Sequence, residues 1–274
     1  MFFILIFQNC DSKQDRLSDF KLQVDCYSFN ICNETRGTRF GIIGDSWTDL
    51  AGGQPFIKTL RVYLEEDYGY HFTGATIGGQ KIQNVFETGV HYQVIDNAGP
   101  NLKYMLISLG GNDFMFMNTF NYFLPDIQTE INNRIAVVEE RILALVQSGN
   151  SYKRNRWGGE PLVWIFHGYD YGNPDSPTLP NTILCRPDMR ASGFTDVQTD
   201  NFPRMFLDSY YKMLYHAASL ETSIRIIDLR GSLGGPPVSN VDLMFDCIHP
   251  NTKGFGIISA NYVEQLKFWS GNEK

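Results

Sequence analysis

Five short apolar stretches along the chain have the length and composition of buried β-strands. Valine, isoleucine, leucine and aromatic residues dominate most of them, and glycine or a polar residue follows each one, as is typical where a strand ends. The predicted strands are residues 40–43, 71–77, 103–109, 161–166 and 223–229. We expect the central sheet of the protein to be built from these stretches.

Between and after these stretches, apolar residues recur three or four positions apart, which is the period of a helix with one buried face. The first such stretch follows Pro55, which suits the first turn of a helix. A long one lies after the third strand, and Gly149 is predicted to end it. Asp200 is predicted to cap a helix that runs to Ala218, and the last helix is predicted to begin near Thr252.

The alternation of strands and helices predicts the fold class. Strands and helices at this spacing favour parallel βαβ units, and hence an α/β fold: a three-layer αβα sandwich around a parallel sheet of about five strands. Residues 168–200 are rich in Pro, Asp and Gly and form a predicted loop that is too long for a simple connection. We find no internal repeat or linker, so we predict one domain over residues 38–274, with residues 1–37 as a separate N-terminal segment.

The composition indicates a globular protein. Hydrophobic residues make up 43% of the 274 residues and aromatic residues 14%, which favours a packed core over disorder. The formal net charge of −7 provides no basic footprint, so no nucleic-acid partner is expected. No apolar run approaches the ~20 residues that span a bilayer.

The N-terminus has the order of features found in an export signal. An apolar run from Met1 to Phe7 is followed by Cys10 and then by a polar stretch. This order resembles a bacterial lipoprotein signal, in which Cys10 would be acylated and would anchor the protein to a membrane. The run lacks a basic start, and Asn9 is larger than the usual small residue, so an ordinary apolar strand is the alternative. We predict an exported bacterial protein, either membrane-anchored or secreted.

Cysteine usage agrees with export. If Cys10 carries lipid, four cysteines remain, and four cysteines allow three pairings. In an oxidising compartment we predict the pairs Cys26–Cys32, which are close enough to close a small loop, and Cys185–Cys247. In a cytosolic protein all four would be free thiols. No Cys-x-x-Cys pair indicates a metal site.

Polar residues that can carry chemistry follow the first predicted strand. Gly44 ends this strand, and Asp45, Ser46 and Asp49 come directly after it. In open α/β sheets, reactive groups collect at the carboxyl ends of the strands, so Ser46 is a candidate nucleophile. Gly-Asp-Ser is also common turn chemistry, and the serine therefore needs support from a base elsewhere in the chain.

Such a base is available near the C-terminus, where Asp246 precedes His249 by three residues. At this spacing the carboxylate can reach the imidazole within one turn of chain. A carboxylate on Nδ1 fixes the tautomer of the imidazole and leaves Nε2 facing the nucleophile. The alternative is that His249 lies in an ordinary loop before a helix and that the Asp246 carboxylate is merely solvated.

Four motifs occur in a characteristic order. They are Gly-Asp-Ser at 44–46, Gly-Gly at 78–79, Gly-Gly-Asn-Asp at 110–113 and Asp-x-x-His at 246–249. Together they resemble the motifs of the SGNH (GDSL) hydrolase superfamily, over roughly residues 38–269. The resemblance implies a flavodoxin-like αβα sandwich and a serine hydrolase that works without metal or organic cofactor.

The resemblance also implies roles for individual residues. Ser46 would be the nucleophile, His249 the general base and then the general acid, and Asp246 the residue that orients His249. The oxyanion hole would combine the Ser46 backbone N–H, the Asn112 side-chain amide and a glycine N–H. Gly79 best matches the family's glycine, and Gly78 remains an alternative because the usual sequence context is absent.

Substrate-binding residues are predicted around these motifs. Trp47 replaces the leucine that is common in the family, which affects the shape of the pocket. Phe114 begins an apolar segment that forms either an acyl-chain wall or a helix packed in the core. Tyr169 follows the fourth strand, beside His167 and Asp170, which could form a competing base pair, a pocket wall or structural hydrogen bonds.

The expected function is that of a serine ester hydrolase, of the carboxylesterase or lipase type, acting through an acyl-enzyme. The substrate would be a small-molecule, lipid or glycan ester. A carbohydrate O-acetylesterase on the same scaffold is one alternative, and a non-catalytic, surface-binding lipoprotein is another. Metal-dependent phosphoester hydrolysis is disfavoured, because it needs several His ligands and an Asp-x-His motif that the chain lacks.

Overall fold

Five parallel strands form a single sheet. The structure is a computed structural model that describes residues 37–49, 57–115, 126–176 and 184–274. The strands are β1 (Phe40–Gly44), β2 (Phe72–Thr76), β3 (Tyr104–Ser108), β4 (Val163–His167) and β5 (Ile224–Ile227). Each predicted strand is thus confirmed, with its ends displaced by a few residues.

The order of the strands in the sheet is β2-β1-β3-β4-β5. In a sheet of this order the direction of winding switches between β1 and β3, and ligands bind in the crevice beyond the carboxyl ends of these two strands. The register places Gly44 of β1 opposite Thr76 of β2 and Ser108 of β3, so the three strands end level with one another. Residues that follow them therefore meet at one edge of the sheet.

Helices cover both faces of the sheet. They are α1 (Leu60–Glu66), α2 (Ile82–Thr88), α3 (Val90–Ala98), α4 (Gly111–Met115), α5 (Ile127–Trp157), α6 (Arg186–Ala191), α7 (Asp196–Leu220) and α8 (Thr252–Ser270). Side chains three positions apart on a strand point to opposite faces. On β4, Trp164 lies against Gly149 of α5, whereas His167 meets the ring of Tyr262 on α8. This arrangement confirms the predicted three-layer αβα sandwich.

The predicted end of the long helix at Gly149 is wrong. Helix α5 continues to Trp157 and ends at Gly158, whose φ of +70° suits a helix stop. Gly149 serves a different purpose, because a Cβ at this position would overlap the ring of Trp164. The glycine allows α5 to pack closely on β4, and the sequence pattern alone does not distinguish this use from a helix stop.

The predicted loop over residues 168–200 also needs correction. It contains α6 and the first turn of α7, which begins earlier than predicted. Thr195 caps α7 in a capping box with Gln198, while Asp200 lies inside the helix and pairs with Arg186 at 2.5 Å. Helices α2 and α3 were not predicted, and α1 begins at Leu60, later than expected.

Several predictions about the N-terminal segment lie outside the described residues. These are the acylation of Cys10 and the pair Cys26–Cys32. The described residues begin at residue 37, so the predicted boundary of a separate N-terminal segment there stays a prediction. Across the part of the chain that the structure does describe, no helix combines the length and the apolar character that crossing a membrane requires.

Candidate active site

The turn after β1 presents Ser46 at the edge of the sheet. The backbone N–H groups of Thr48 and Asp49 each donate to Asp45 O at 3.1 Å, which closes a tight turn directly after the strand. Gly44 leaves room for this turn, because a Cβ there would overlap the side chain of Thr48. Ser46 is consequently held, half-buried, just beyond the carboxyl end of β1.

The side chain of His249 meets this serine from the far end of the chain. Ser46 Oγ and His249 Nε2 are 2.8 Å apart. The histidine lies in a loop that is closed by a hydrogen bond of 2.8 Å from Phe245 N to His249 O. Asn251 then caps α8 by accepting a hydrogen bond of 3.0 Å from Gly254 N. The loop and the helix cap together fix the direction from which the imidazole approaches.

Asp246 orients this imidazole. Its Oδ2 lies 2.8 Å from His249 Nδ1, and its Oδ1 accepts backbone hydrogen bonds from Ile248 N at 2.8 Å and His249 N at 2.7 Å. Burial by itself raises the pKa of Asp246, but the hydrogen bond from His249 and the two backbone donors outweigh it and hold the pKa below its usual value. An ionised Asp246 fixes hydrogen on Nδ1, so Nε2 is free to accept the Ser46 proton.

Asn112 and the turn after β2 lie beside the serine turn. Asn112 Nδ2 is 3.3 Å from Asp45 Oδ2 and 3.2 Å from Gln80 O. The turn that contains Gln80 has Gly79 at φ +78°, the left-handed conformation that glycine adopts without strain. Gly78 and Gly79 are both exposed, and the choice between them as an oxyanion donor stays a prediction.

Asp45 is the member of the site whose role sequence reasoning underestimated. An aspartate in a turn commonly accepts hydrogen bonds from the backbone N–H groups beside it, and Asp45 Oδ1 does accept from Trp47 N at 3.1 Å. In addition, Ser108 Oγ donates to Asp45 at 3.0 Å and the Tyr169 hydroxyl donates to it at 2.6 Å. Burial raises the pKa of Asp45 to about 6, against the opposing effect of these hydrogen bonds. The pairing of β1 with β3, which brings Gly44 beside Ser108, is the signal that could have revealed this contact.

The three predicted substrate-binding residues are buried. Trp47, Phe114 and Tyr169 are 2%, 1% and 6% exposed. The rings of Trp47 and Tyr169 pack edge to face at 5.4 Å, and Phe114 stacks on Phe206 at 4.2 Å. Their contact with substrate stays a prediction, and in this structure the three rings are packed against other aromatic side chains.

His167 and Asp170 do not pair with each other. Asp170 accepts hydrogen bonds from Tyr171 N and from two N–H groups of residues 231–233, at 2.6–2.7 Å. His167 Nδ1 lies 2.8 Å from Gly168 O, and burial lowers the pKa of His167 to about 4. Both side chains therefore serve as structural hydrogen-bonding groups in this arrangement.

Metal ligands do not cluster within the described ranges. No group of three or more His, Cys, Asp or Glu side chains in these ranges is placed to hold an ion. His216 pairs with Glu139 at 2.7 Å on the surface, and buried His91 lies 2.9 Å from Ser148 Oγ.

A disulfide attaches the loop of Asp246 and His249 to the region around α6. Cys185 and Cys247 are bonded with their Cα atoms 5.3 Å apart, which confirms this predicted pair. Cys247 directly follows Asp246, and its carbonyl accepts a hydrogen bond of 3.1 Å from Asn173 N. Covalent and backbone bonds thus hold the loop that carries Asp246 and His249.

Replacing Cys185 and Cys247 together by serine should lower the free energy of unfolding by about 2–4 kcal/mol, because the bond closes a loop of 62 residues. Denaturant unfolding measures this loss. A reductant would also act on Cys26 and Cys32, whereas the double variant leaves these two residues unchanged. Comparing the two treatments therefore isolates the contribution of the Cys185–Cys247 bond. Equal stability of the variant and the parent protein would contradict the assignment.

Comparison with known proteins identifies the fold. No protein-family model matches the sequence, and no match was found among curated proteins. A catalytic mutant of the acetylxylan esterase Axe2 from Geobacillus stearothermophilus has a TM-score of 0.51 at 14% identity, covering 85% of this chain and 96% of that one. The extracellular lipase of Streptomyces rimosus has a TM-score of 0.50 at 14% identity, covering 82% and 99%.

A third similar structure, described as a lipolytic protein of the G-D-S-L family from Desulfitobacterium hafniense, has a TM-score of 0.50 at 13% identity, covering 82% of this chain and 97% of that one. At such identities the likeness concerns the fold. The chain has the αβα fold of these three structures, which are described as an acetylxylan esterase, a lipase and a lipolytic protein of the G-D-S-L family, and the four motifs predict such a fold.

Proposed function

We propose that this protein is a serine ester hydrolase. The observation that carries the proposal is the 2.8 Å contact between Ser46 Oγ and His249 Nε2, with Asp246 on the other nitrogen of the imidazole. A serine hydroxyl is a poor nucleophile unless a base lies within hydrogen-bond reach, and this geometry supplies the base and its orienting carboxylate. The fold, which is that of known esterases and lipases, supports the same reaction class.

The reaction proceeds in two acyl-transfer steps. Ser46 Oγ attacks the ester carbonyl while His249 Nε2 takes the hydroxyl proton, and a tetrahedral oxyanion forms. Its collapse breaks the bond to the alcohol, which leaves with the proton from His249. Water then attacks the acyl-enzyme with the same base, and a second collapse releases the acid and restores Ser46. Asp246 stabilises the imidazolium form that exists in each step.

Asn112 is proposed to stabilise the oxyanion, together with the backbone N–H groups of Ser46 and of Gly79 or Gly78. A preorganised donor of this kind contributes about 3–4 kcal/mol to the transition state. The Asn112 amide already has acceptors in Asp45 and Gln80 O, so binding an oxyanion requires one of its hydrogens to be shared or redirected.

Replacing Asn112 by alanine should lower kcat about 10²–10³-fold and leave KM nearly unchanged, because the lost donor acts mainly on the developing charge. Steady-state kinetics with a short-chain chromogenic ester measures the effect. Asn84→Ala on the exposed face of α2 provides a control for loss of an amide. A variant within a few-fold of the parent kcat would remove Asn112 from the oxyanion hole.

The same assay tests the reaction class. Hydrolysis of the chromogenic ester that continues in the presence of a chelator is expected for the serine mechanism, whereas inhibition by the chelator would favour a metal-dependent one.

For the substrate, we propose a lipid ester or a small carboxylic ester, with an O-acetylated carbohydrate as the alternative. The similar fold of an acetylxylan esterase supports keeping this alternative. A panel of acyl esters set against acetylated xylan separates these two.

We further propose that the protein is exported and anchored through an acylated Cys10. The disulfide between Cys185 and Cys247 supports an oxidising compartment, where such bonds persist. Mass spectrometry of the mature protein tests the anchor: an acylated Cys10 as first residue is expected, and an intact, unmodified Met1 would contradict it. A non-catalytic, surface-binding lipoprotein is the alternative if no ester is hydrolysed.

A further inference from the structure

The phenol of Tyr169 joins two parts of the site that are distant in the sequence. Its hydroxyl donates to Asp45 Oδ2 at 2.6 Å and accepts a hydrogen bond from Gly111 N at 2.9 Å. Asp45 belongs to the turn of the nucleophile, and Gly111 is the first residue of α4, next to Asn112. A Cβ on Gly111 would lie 2.7 Å from the hydroxyl, so the absence of a side chain there allows this close approach.

Tyr169 and Asn112 share one acceptor. Asp45 Oδ2 receives the hydroxyl of Tyr169 and, at 3.3 Å, the amide of Asn112. The other oxygen is held by Trp47 N and by Ser108 Oγ, at 3.1 and 3.0 Å. The carboxylate therefore cannot rotate without breaking several bonds, and the direction of the Asn112 amide depends on it.

We propose that Tyr169 is a positioning residue for the oxyanion hole, acting through Asp45 and Gly111 on the amide of Asn112. This role differs from the substrate contact that the sequence predicts for Tyr169. It rests on the proposed function, because an oxyanion hole has meaning only for an acyl-transfer enzyme. Tyr169 is 6% exposed, and its hydroxyl is bonded to Asp45 and Gly111, which fits a positioning role better than a contact with substrate.

The charge of Asp45 links this role to pH. Burial raises the pKa of Asp45 to about 6, and the hydrogen bond from Tyr169 is the first of the contacts that lower it. The other titratable groups near Asp45 are His249, whose charge lowers its pKa, and Tyr210 of α7. Loss of the Tyr169 hydroxyl should therefore raise the pKa of Asp45, and a protonated Asp45 is a poorer acceptor for the Asn112 amide.

The test is Tyr169→Phe, which keeps the ring that packs on Trp47. We expect kcat to fall about tenfold, with KM changed less than twofold, and the acid limb of the kcat/KM profile to move to higher pH. Tyr171→Phe is the matched control, because that hydroxyl is bound to Asp208 instead. It should change neither kcat nor the pH profile. Unchanged kcat and pH profile in Tyr169→Phe would overturn the proposal.

A double-mutant cycle with Asn112→Ala separates positioning from a general structural effect. If Tyr169 acts through Asn112, adding Tyr169→Phe to Asn112→Ala should lower kcat less than twofold further. A full tenfold additional loss would overturn the proposal. Should Tyr169→Phe fail to fold, as judged by its melting curve, 3-fluorotyrosine in place of Tyr169 keeps the ring and strengthens the donor. The acid limb should then move to lower pH, and an unmoved limb would overturn the role.

The same series distinguishes this role from the proposed function. Hydrolysis that depends on Ser46 but is insensitive to Tyr169→Phe overturns only the positioning role. Absence of ester hydrolysis by the parent protein, or hydrolysis that survives Ser46→Ala, overturns both.

Discussion

Replacing Ser46 by alanine should lower kcat for a short-chain ester on the order of 10⁴-fold or more. In the proposed mechanism the hydroxyl oxygen of Ser46 forms the acyl-enzyme, and this oxygen lies 2.8 Å from His249 Nε2. Without it, the imidazole can at best activate water. Donors to the oxyanion and substrate binding remain, so a small residual rate is expected above the uncatalysed reaction.

The fold should survive this change. Ser46 is half-buried, and the turn around it is closed by backbone bonds to Asp45 O that the substitution leaves in place. Ser219→Ala at the exposed end of α7 is a suitable control and should keep full activity. Retention of most of the activity by Ser46→Ala, with an unchanged melting temperature, would show that another residue is the nucleophile.

Asp246→Asn should cost about 10⁴-fold in kcat with little change in packing. The Oδ1 of asparagine can still accept from Ile248 N and His249 N, so the amide NH₂ must face Nδ1 of the imidazole. Nδ1 then becomes an acceptor and the proton moves to Nε2, where it points at Ser46. This is the wrong tautomer for a base.

The loss in Asp246→Asn should be visible in kcat with KM nearly unchanged, and kinetics across pH 5 to about 10 measures it. At the high end of the range, hydroxide-assisted reaction should recover part of the rate. Asp242→Asn, an exposed change four residues earlier in the chain, is the matched control. A fall of tenfold or less in Asp246→Asn would mean that another group orients His249.

The parts of the structure that depend on local pattern were predictable from the sequence. The five buried strands are recognisable in the sequence as apolar runs that are followed by glycine or polar residues. Their alternation with helices predicts the αβα sandwich. Ser46, His249 and Asp246 could be singled out because each belongs to a short motif. The structure then brings Ser46 and His249 together across 203 residues of sequence.

Features that depend on tertiary contact were not predictable. In the sequence Gly149 resembles a helix stop. In the structure it is needed because a Cβ at this position would overlap the ring of Trp164 on β4. The bond from Tyr169 to Asp45 likewise arises because the ends of β1, β3 and β4 meet at one edge of the sheet. Neither residue has a neighbour in sequence that reveals its partner.

Covalent labelling tests the central claim most directly. A fluorophosphonate forms a stable adduct with an activated serine, and peptide mass spectrometry identifies the modified residue. We expect a single adduct on Ser46 in the parent protein, and strongly reduced labelling of Ser46 in a His249→Ala variant, because the base is what activates the hydroxyl. Labelling of a different residue, or Ser46 labelling that is unaffected by the loss of His249, would contradict the proposed serine hydrolase mechanism.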